Sequence, residues 1–215
     1  MKLSENTISI LKSFSGINPS IMFKEGNVLK TISPSKTVMA QATITDSIDG
    51  NAAVYDLSRF LSTISLFDDP EVEFGTDKFT IKGNRRRVNY TYTSENMIVS
   101  PGEKSVVLPS IDVSVKVTWD DFQSVIKAAG VLQVSDIAFV GEAGKIKLVA
   151  TDTKNPTSDK YDVEISDFSG EDFDMHIKVD NLKLLPADYE IDLCSKGMAH
   201  FKSDTVQYWI AVQTN

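Results

Sequence analysis

Few residues of this 215-residue chain could carry covalent or metal chemistry. Its two histidines, His176 and His200, lie in separate strand-like segments, and no CxxC, HxxxH or HExxH spacing gathers ligands around either. Both read as structural. Cys194 sits in an alternating segment beside Ile191 and Leu193, without a basic neighbour to lower its pKa, and the expectation is a buried, inert thiol. The phosphate-cradling and nucleophile-elbow patterns GxGxxG, GxxxxGK[ST] and GxSxG are absent. Carboxylates are plentiful, but Asp46, Asp49, Asp68, Asp69, Asp152, Asp159, Asp162 and Asp167 are scattered over turn-like segments, the pattern of a solvated surface. No catalytic residue, metal or cofactor is assigned.

The cations are more telling. The net charge is -8, which argues against a basic coat for nucleic acid but leaves room for a basic lining inside an acidic object. Four segments with helical patterning, 2–16, 56–67, 116–131 and 178–186, hold seven cations (Lys2, Lys12, Arg59, Lys116, Lys127, Lys178 and Lys183) against five acids. Their acids stand mostly at helix starts, where they suit the dipole, leaving the cations mid-face. The one basic run, Arg85-Arg86-Arg87, could hold a phosphate, pair with an acidic neighbour or be solvated.

The elements that position these groups alternate between helical and strand periods. Leu3, Thr7, Ile10, Leu11 and Phe14 share a helical face, with Ser4 as N-cap and Gly16 as stop. Strands follow to Thr45 and at 52–55. A second helix is expected over 56–67 and three short strands over 71–93. Periodicity fades over about 94–110, the candidate connector between domains at 1–108 and 109–215. The pattern then restarts with a strand at 113–118, a helix at 119–131, four strands to Val179, a short helix over 180–185 closed by Pro186, and three strands to Val212. One cysteine permits no internal disulfide, no apolar run reaches membrane-spanning length, and the N-terminus lacks a signal peptide's apolar region.

The two halves share an order of elements. Ile10-Leu11-Lys12 is echoed by Val125-Ile126-Lys127, Ile21-Met22-Phe23 by Ile137-Ala138-Phe139, Glu25-Gly26 by Ala143-Gly144, and Leu57 by Leu182. The reading is a duplicated α+β domain whose open sheet edges need pairing, as head-to-tail closure of a ring would supply.

Together these features resemble the DNA polymerase sliding clamps of T-even-type bacteriophages. The resemblance runs along essentially the whole chain and is closest over 1–18 with Ile21-Met22, Tyr55-Asp56-Leu57 with Phe60-Leu61, Asp121-Phe122-Gln123, and Phe168-Ser169-Gly170-Glu171 through Asn181-Leu182-Lys183. It rests on collinearity, since the family has no compact motif. It implies an α+β fold of two repeated clamp domains, helices lining the inside and antiparallel sheets outside, with three chains closing into a pseudo-sixfold ring around duplex DNA. Lys12, Arg59, Lys127 and Lys183 match the inward-facing helix positions, and Lys2, Lys116 and Lys178 join them nearer element ends. Glu5 and Asp120 depart from a purely basic lining. The subunit contact implied sets Arg86, Arg87, Val88, Tyr90 and Tyr92 against Tyr161, Val163 and Ile165 of a neighbour, with the arginines facing Asp159, Asp162 and Glu164. Implied partners are the replicative polymerase and a clamp loader ATPase, whose hydrophobic peptides would meet Met97, Ile98, Val99, Val107, Leu108, Tyr208 and Ile210. That these residues merely pack the connector down is equally open. The implied setting is the cytoplasm of an infected bacterial host, with no membrane partner. The rival reading is a ring- or tube-forming structural phage protein without DNA-dependent activity.

Overall fold

Ser4 opens the first helix, α1 (Glu5–Ile17), by accepting a hydrogen bond from the Thr7 N–H at 3.2 Å. The stripe Thr7, Ile10, Leu11, Phe14 and Ile17 is buried, and each large apolar side chain contributes roughly 2 kcal/mol by leaving water. Gly16 is not the stop. The helix continues through Ile17 because the terminating signal is Pro19, which holds Asn18 in extended backbone. Asn18 is buried there. Its amide donates to the carbonyls of Ile32 (2.7 Å) and Val99 (2.9 Å), tying the start of the connector to the first half of the chain.

The computed structural model describes residues 1–103, 105–155 and 157–214, which fall into two compact units, Met1–Lys104 and Ser105–Asn215. In the first unit α1 is followed by β1 (Ile21–Phe23), β2 (Gly26–Ile32), β3 (Val38–Ile48), β4 (Ala52–Val54), α2 (Leu57–Ile64), β5 (Glu71–Phe74), β6 (Lys78–Gly83) and β7 (Arg86–Thr91). β1 pairs with β4, β2 with β3, and β5-β6-β7 form a three-stranded sheet, all antiparallel. Asp56 caps α2 through the Arg59 N–H at 2.8 Å. Leu57, Phe60, Leu61 and Ile64 are buried, and the helix ends at Ile64, three residues short of the expected Phe67. Phe60 seals the helix onto the sheet, its ring 4.7 Å from Phe79 and 5.4 Å from Tyr90. β6 and β7 join through Asn84 and Arg85, both at positive φ, the two-residue hairpin geometry that matches strand twist.

The second unit repeats the plan with a longer sheet: β8 (Val113–Val117), α3 (Trp119–Leu132), β9 (Asp136–Glu142), β10 (Lys145–Thr151), β11 (Tyr161–Asp167), β12 (Phe173–Lys178), β13 (Tyr189–Cys194), β14 (Met198–Lys202), β15 (Val206–Ala211) and β16 (Gln213–Thr214). Its sheets run β11-β10-β9-β12-β16 and β8-β13-β14-β15. Thr118 and Asp121 cap α3 reciprocally, at 3.2 Å and 2.7 Å.

The expected helix over 180–185 does not form. A single 3-10 turn, Val179–Asn181, stands in its place. Pro186 biases Leu185 towards extended backbone. Tertiary bonds also claim that backbone: the Leu185 N–H donates to the Tyr208 hydroxyl at 3.0 Å, and its carbonyl accepts from the Tyr189 hydroxyl at 2.6 Å. Six residues are too few to offset helix nucleation against such competition.

Candidate nucleic-acid interface

The exposed faces of the helices carry short polar side chains and isolated cations. On α1, Glu5, Ser9 and Lys12 lie away from the buried stripe and are exposed; on α2, Ser58, Arg59 and Ser62 are exposed. On α3, Lys127 is exposed and its Nζ donates to Gln123 Oε1, one turn earlier, at 3.1 Å. Lys12 and Lys127 therefore occupy matching places, each opposite the buried stripe of its own helix. Asp120 is exposed on the first turn of α3, as Glu5 is on α1, whereas the Asp121 carboxylate is engaged in the cap.

The other cations stand elsewhere. Lys2 precedes α1 and pairs with Asp69. Lys116 is exposed on β8, opposite Glu190 of β13, so it is a strand residue and not a helical one. Lys178 closes β12 with its Nζ 2.6 Å from Asp136 Oδ1, and that carboxylate is wholly buried. Burial opposes the charge on Asp136, but Lys178, Ser135 and the Thr153 backbone outweigh it and hold the carboxyl below its ordinary range. Lys178 is thus committed to the core. Lys183 is exposed beyond the 3-10 turn, on irregular backbone.

Two of the terminal strands carry charge of opposite sign, one in each unit. β7 is hydrogen-bonded to β6, and β11 to β10. Along β7, Arg86, Arg87, Asn89 and Thr91 are exposed, with Val88 and Tyr90 half-buried; Tyr92 follows the strand, half-buried. Along β11, Tyr161, Asp162 and Glu164 are exposed, with Val163 and Ile165 half-buried between them, and Asp159 is exposed just before it. One edge therefore carries arginines and the other carboxylates.

The apolar residues proposed to meet a peptide divide. Met97, Val99 and Val107 are exposed, and Ile98 and Leu108 half-buried. Tyr208 and Ile210 are fully buried and cannot be touched from outside. Their strand, β15, is packed on both faces, so alternation there did not mark an outward side.

The groups with chemical potential are held as structural ones. His176 is buried, 2.7 Å from Asp174 Oδ1. His200 stacks on Trp209 at 4.6 Å and meets Gln207 at 3.0 Å, and burial keeps its pKa below the usual value. Cys194 is buried against Ser110, 3.2 Å away. Burial pushes its thiol up, yet hydrogen bonds from Ser110 and the Lys196 backbone bring it below the ordinary value, a balance that the absence of an adjacent base did not reveal. Among the described residues no cluster of three or more His, Cys, Asp or Glu could hold a metal ion, and no helix is long and apolar enough to cross a membrane.

Two residue relationships lay outside the reach of sequence patterns. One is the stacking of Arg59 on Tyr90, 5.8 Å from the guanidinium carbon to the ring centroid. The other is the Asn18 bridge to the connector. The Asn-Pro dipeptide at 18–19 was the available signal for the second.

Residues 2–100 match the family described as DNA polymerase processivity factor, and residues 114–214 match the C-terminal domain of the gp45 sliding clamp. Among curated relatives, the sliding clamp of Escherichia phage RB69 is 33% identical, with 100% of this chain and 98% of that protein covered. The sliding clamp of Enterobacteria phage T4 is 30% identical over the same shares. Among solved structures, PCNA from Thermococcus kodakaraensis superposes with a TM-score of 0.69 at 16% identity, covering 97% of this chain and 96% of that one. The DNA polymerase III β subunit of Pseudomonas aeruginosa gives 0.67 at 10% identity, covering 97% and 62%. These distant likenesses concern the fold.

Proposed function

The chain belongs to the sliding-clamp family of DNA polymerase processivity factors, and from that premise we propose that three copies close into a pseudo-sixfold ring that encircles duplex DNA and tethers the replicative polymerase. The observation that carries this reading is the pair of one-sided strand edges, arginine-bearing β7 in one unit and carboxylate-bearing β11 in the other. Edges of opposite sign are complementary head to tail, and closure covers these two.

The lining would come from α1, α2 and α3. At 1.5 Å per residue the 14 residues of α3 span about 21 Å, comparable with the width of a duplex. Topology holds a closed ring on DNA, so sparse phosphate contacts from Lys12, Arg59 and Lys127 among serines suffice, and tight ones would slow sliding. Lys183 adds a cation beyond β12, without a helix beneath it. The net charge of -8 keeps DNA off the outer surface. The ring has no covalent chemistry to perform and acts as an accessory, in the cytoplasm of the infected host. Polymerase and a loader ATPase would dock short hydrophobic segments on the exposed connector residues Met97, Val99 and Val107. A ring- or tube-forming structural role is not favoured, because both family matches are to replication clamps.

The test of assembly is solution mass against concentration. The expected species at high concentration has three times the 23.7 kDa of the chain. A monomer throughout, at concentrations well above those that support polymerase stimulation, would contradict the ring.

A further inference from the structure

Arg85, Arg86 and Arg87 do not act as one basic patch, because the hairpin sends them in three directions. Arg85 is at the turn, at φ 64°. Arg86 and Arg87 are adjacent strand residues and so point to opposite faces of the sheet. Cross-strand partners share a face. Arg87 is paired with Lys82 and lies on the side with Glu71, Thr80 and Asn89, the open outer surface, where Lys82 already binds Glu73 at 2.6 Å. Arg86 is paired with Gly83 and lies on the side with Ile81, Val88, Phe79 and Tyr90, the side that α2 covers. Gly83 fixes this assignment independently. A Cβ there would stand 3.1 Å from Phe67, in the turn that leaves α2. Arg86 therefore emerges on the helix side of the sheet, level with the end of α2. It is exposed, and none of the three arginines makes an ion pair among the described residues.

From this geometry we infer that Arg86 is a DNA-backbone contact of the ring's inner wall, and that Arg87 alone belongs to the subunit charge pairing. The inference rests on the clamp reading above. Arg59 lies over Tyr90 on the same face, and four residues of strand separate Tyr90 from Arg86, about 13 Å at 3.3 Å per residue. That separation is close to the width of a major groove, about 12 Å. The two cations can thus sit on phosphates flanking one groove, Arg59 at the start of α2 and Arg86 beyond its end. Arginine suits the task, since its planar fork takes a phosphate in bidentate fashion. The acids nearest in sequence on that side, Asp68 and Asp69, are exposed, and Asp69 is already paired with Lys2.

The experiment uses the buried Cys194 to advantage, because Arg86→Cys and Arg87→Cys each supply the one accessible thiol. Each variant is labelled with a photoactivatable aryl azide and threaded onto linear duplex DNA whose biotinylated ends are then blocked with streptavidin. The expected result is crosslinking to DNA from position 86 at least tenfold above that from position 87. Arg86→Gln, without the label, should keep the wild-type trimer mass while its log-affinity for open-ended duplex falls less steeply with log salt, by about one unit for the phosphate it no longer engages. Equal crosslinking from the two positions on trapped rings would overturn the inference and leave the clamp reading standing. So would loss of the trimer in either Arg86 variant. Failure of the wild-type protein to be trapped at all would overturn both.

Discussion

The Arg59 guanidinium lies over the Tyr90 ring, 5.8 Å from its centroid, and the Tyr90 hydroxyl donates to the Asp56 carbonyl at 2.9 Å. A cation on the proposed DNA face is therefore braced by a residue of the strand proposed for assembly. Asp56 caps the same helix, so helix start, cation and edge strand form one junction. Tyr90→Phe keeps the ring and removes one hydrogen bond, and a destabilisation of about 1 kcal/mol is expected in urea unfolding. Tyr90→Ala also removes the ring from Phe60 and Phe79 and is expected to cost about 3 kcal/mol. The alanine variant should weaken trimer formation more than the phenylalanine variant does, which sedimentation against concentration would measure.

Lys12 and Lys127 are matched across the repeats and exposed on separate helices, so their effects should add. Lys12→Gln and Lys127→Gln are each expected to flatten the salt dependence of duplex binding by about one unit, the share of a single phosphate, with little change in unfolding. Titrations at several salt concentrations decide it; an unchanged slope in the double variant would remove both residues from the lining.

The subunit contact predicts a charge swap. Arg87→Glu should weaken trimer formation by placing an acid opposite Asp162 and Glu164 of the neighbour, and adding Glu164→Arg should recover part of the loss. Glu164 lies 3.9 Å from Lys145 in its own chain, but Lys145 binds Asp167 more closely at 2.7 Å, so Glu164 is available to a partner. Equilibrium sedimentation of the single and double variants measures the recovery.

Lys178 is expected to matter to stability and not to DNA. Lys178→Met leaves Asp136 charged and buried without its cation, at a cost of about 3 kcal/mol near neutral pH. The sign with pH follows from the carboxyl. In the wild-type chain its pKa is depressed, so its contribution is present above the unfolded value and is lost as pH falls through the folded one. Without Lys178 a main cause holding the carboxyl down is lost, so its pKa rises from the wild-type position. The cost of the substitution should therefore shrink as pH drops towards and below about 4. Urea unfolding at pH 7 and pH 4 gives the comparison, and the variant's duplex-binding salt slope should match wild type.

Much of this was legible in the chain, and the failures have physical causes. The first helix, the Thr7, Ile10, Leu11 and Phe14 part of its buried stripe and the Lys12–Lys127 echo follow from spacing alone, whereas Leu3 precedes the N-cap and is half-buried. The strands at β7 and β11 were singled out by the resemblance alone, because alternation marks a strand but not whether it has a second neighbour. Where several local signals compete, pattern reading loses. Val179, Leu182 and Leu185 have helical spacing, yet Pro186 and the hydroxyls of Tyr189 and Tyr208 take the backbone another way. Gly16 has the look of a stop, but Pro19 acts three residues after it. Ion pairing is also invisible to spacing: Lys2 and Lys178 are committed to Asp69 and Asp136, 67 and 42 residues away in the chain. Tyr208 and Ile210 misled because a strand covered on both faces has no outward side to detect.

In the proposed ring, topology and not affinity holds the protein on DNA. The most direct measurement threads it onto a linear duplex, blocks both ends, washes at high salt, and then cuts the DNA between the blocks. Retention through the wash, sliding loss once a free end is made, and the same outcome for any duplex sequence are expected. Release by salt while the ends are blocked, or indifference to the cut, would contradict the ring.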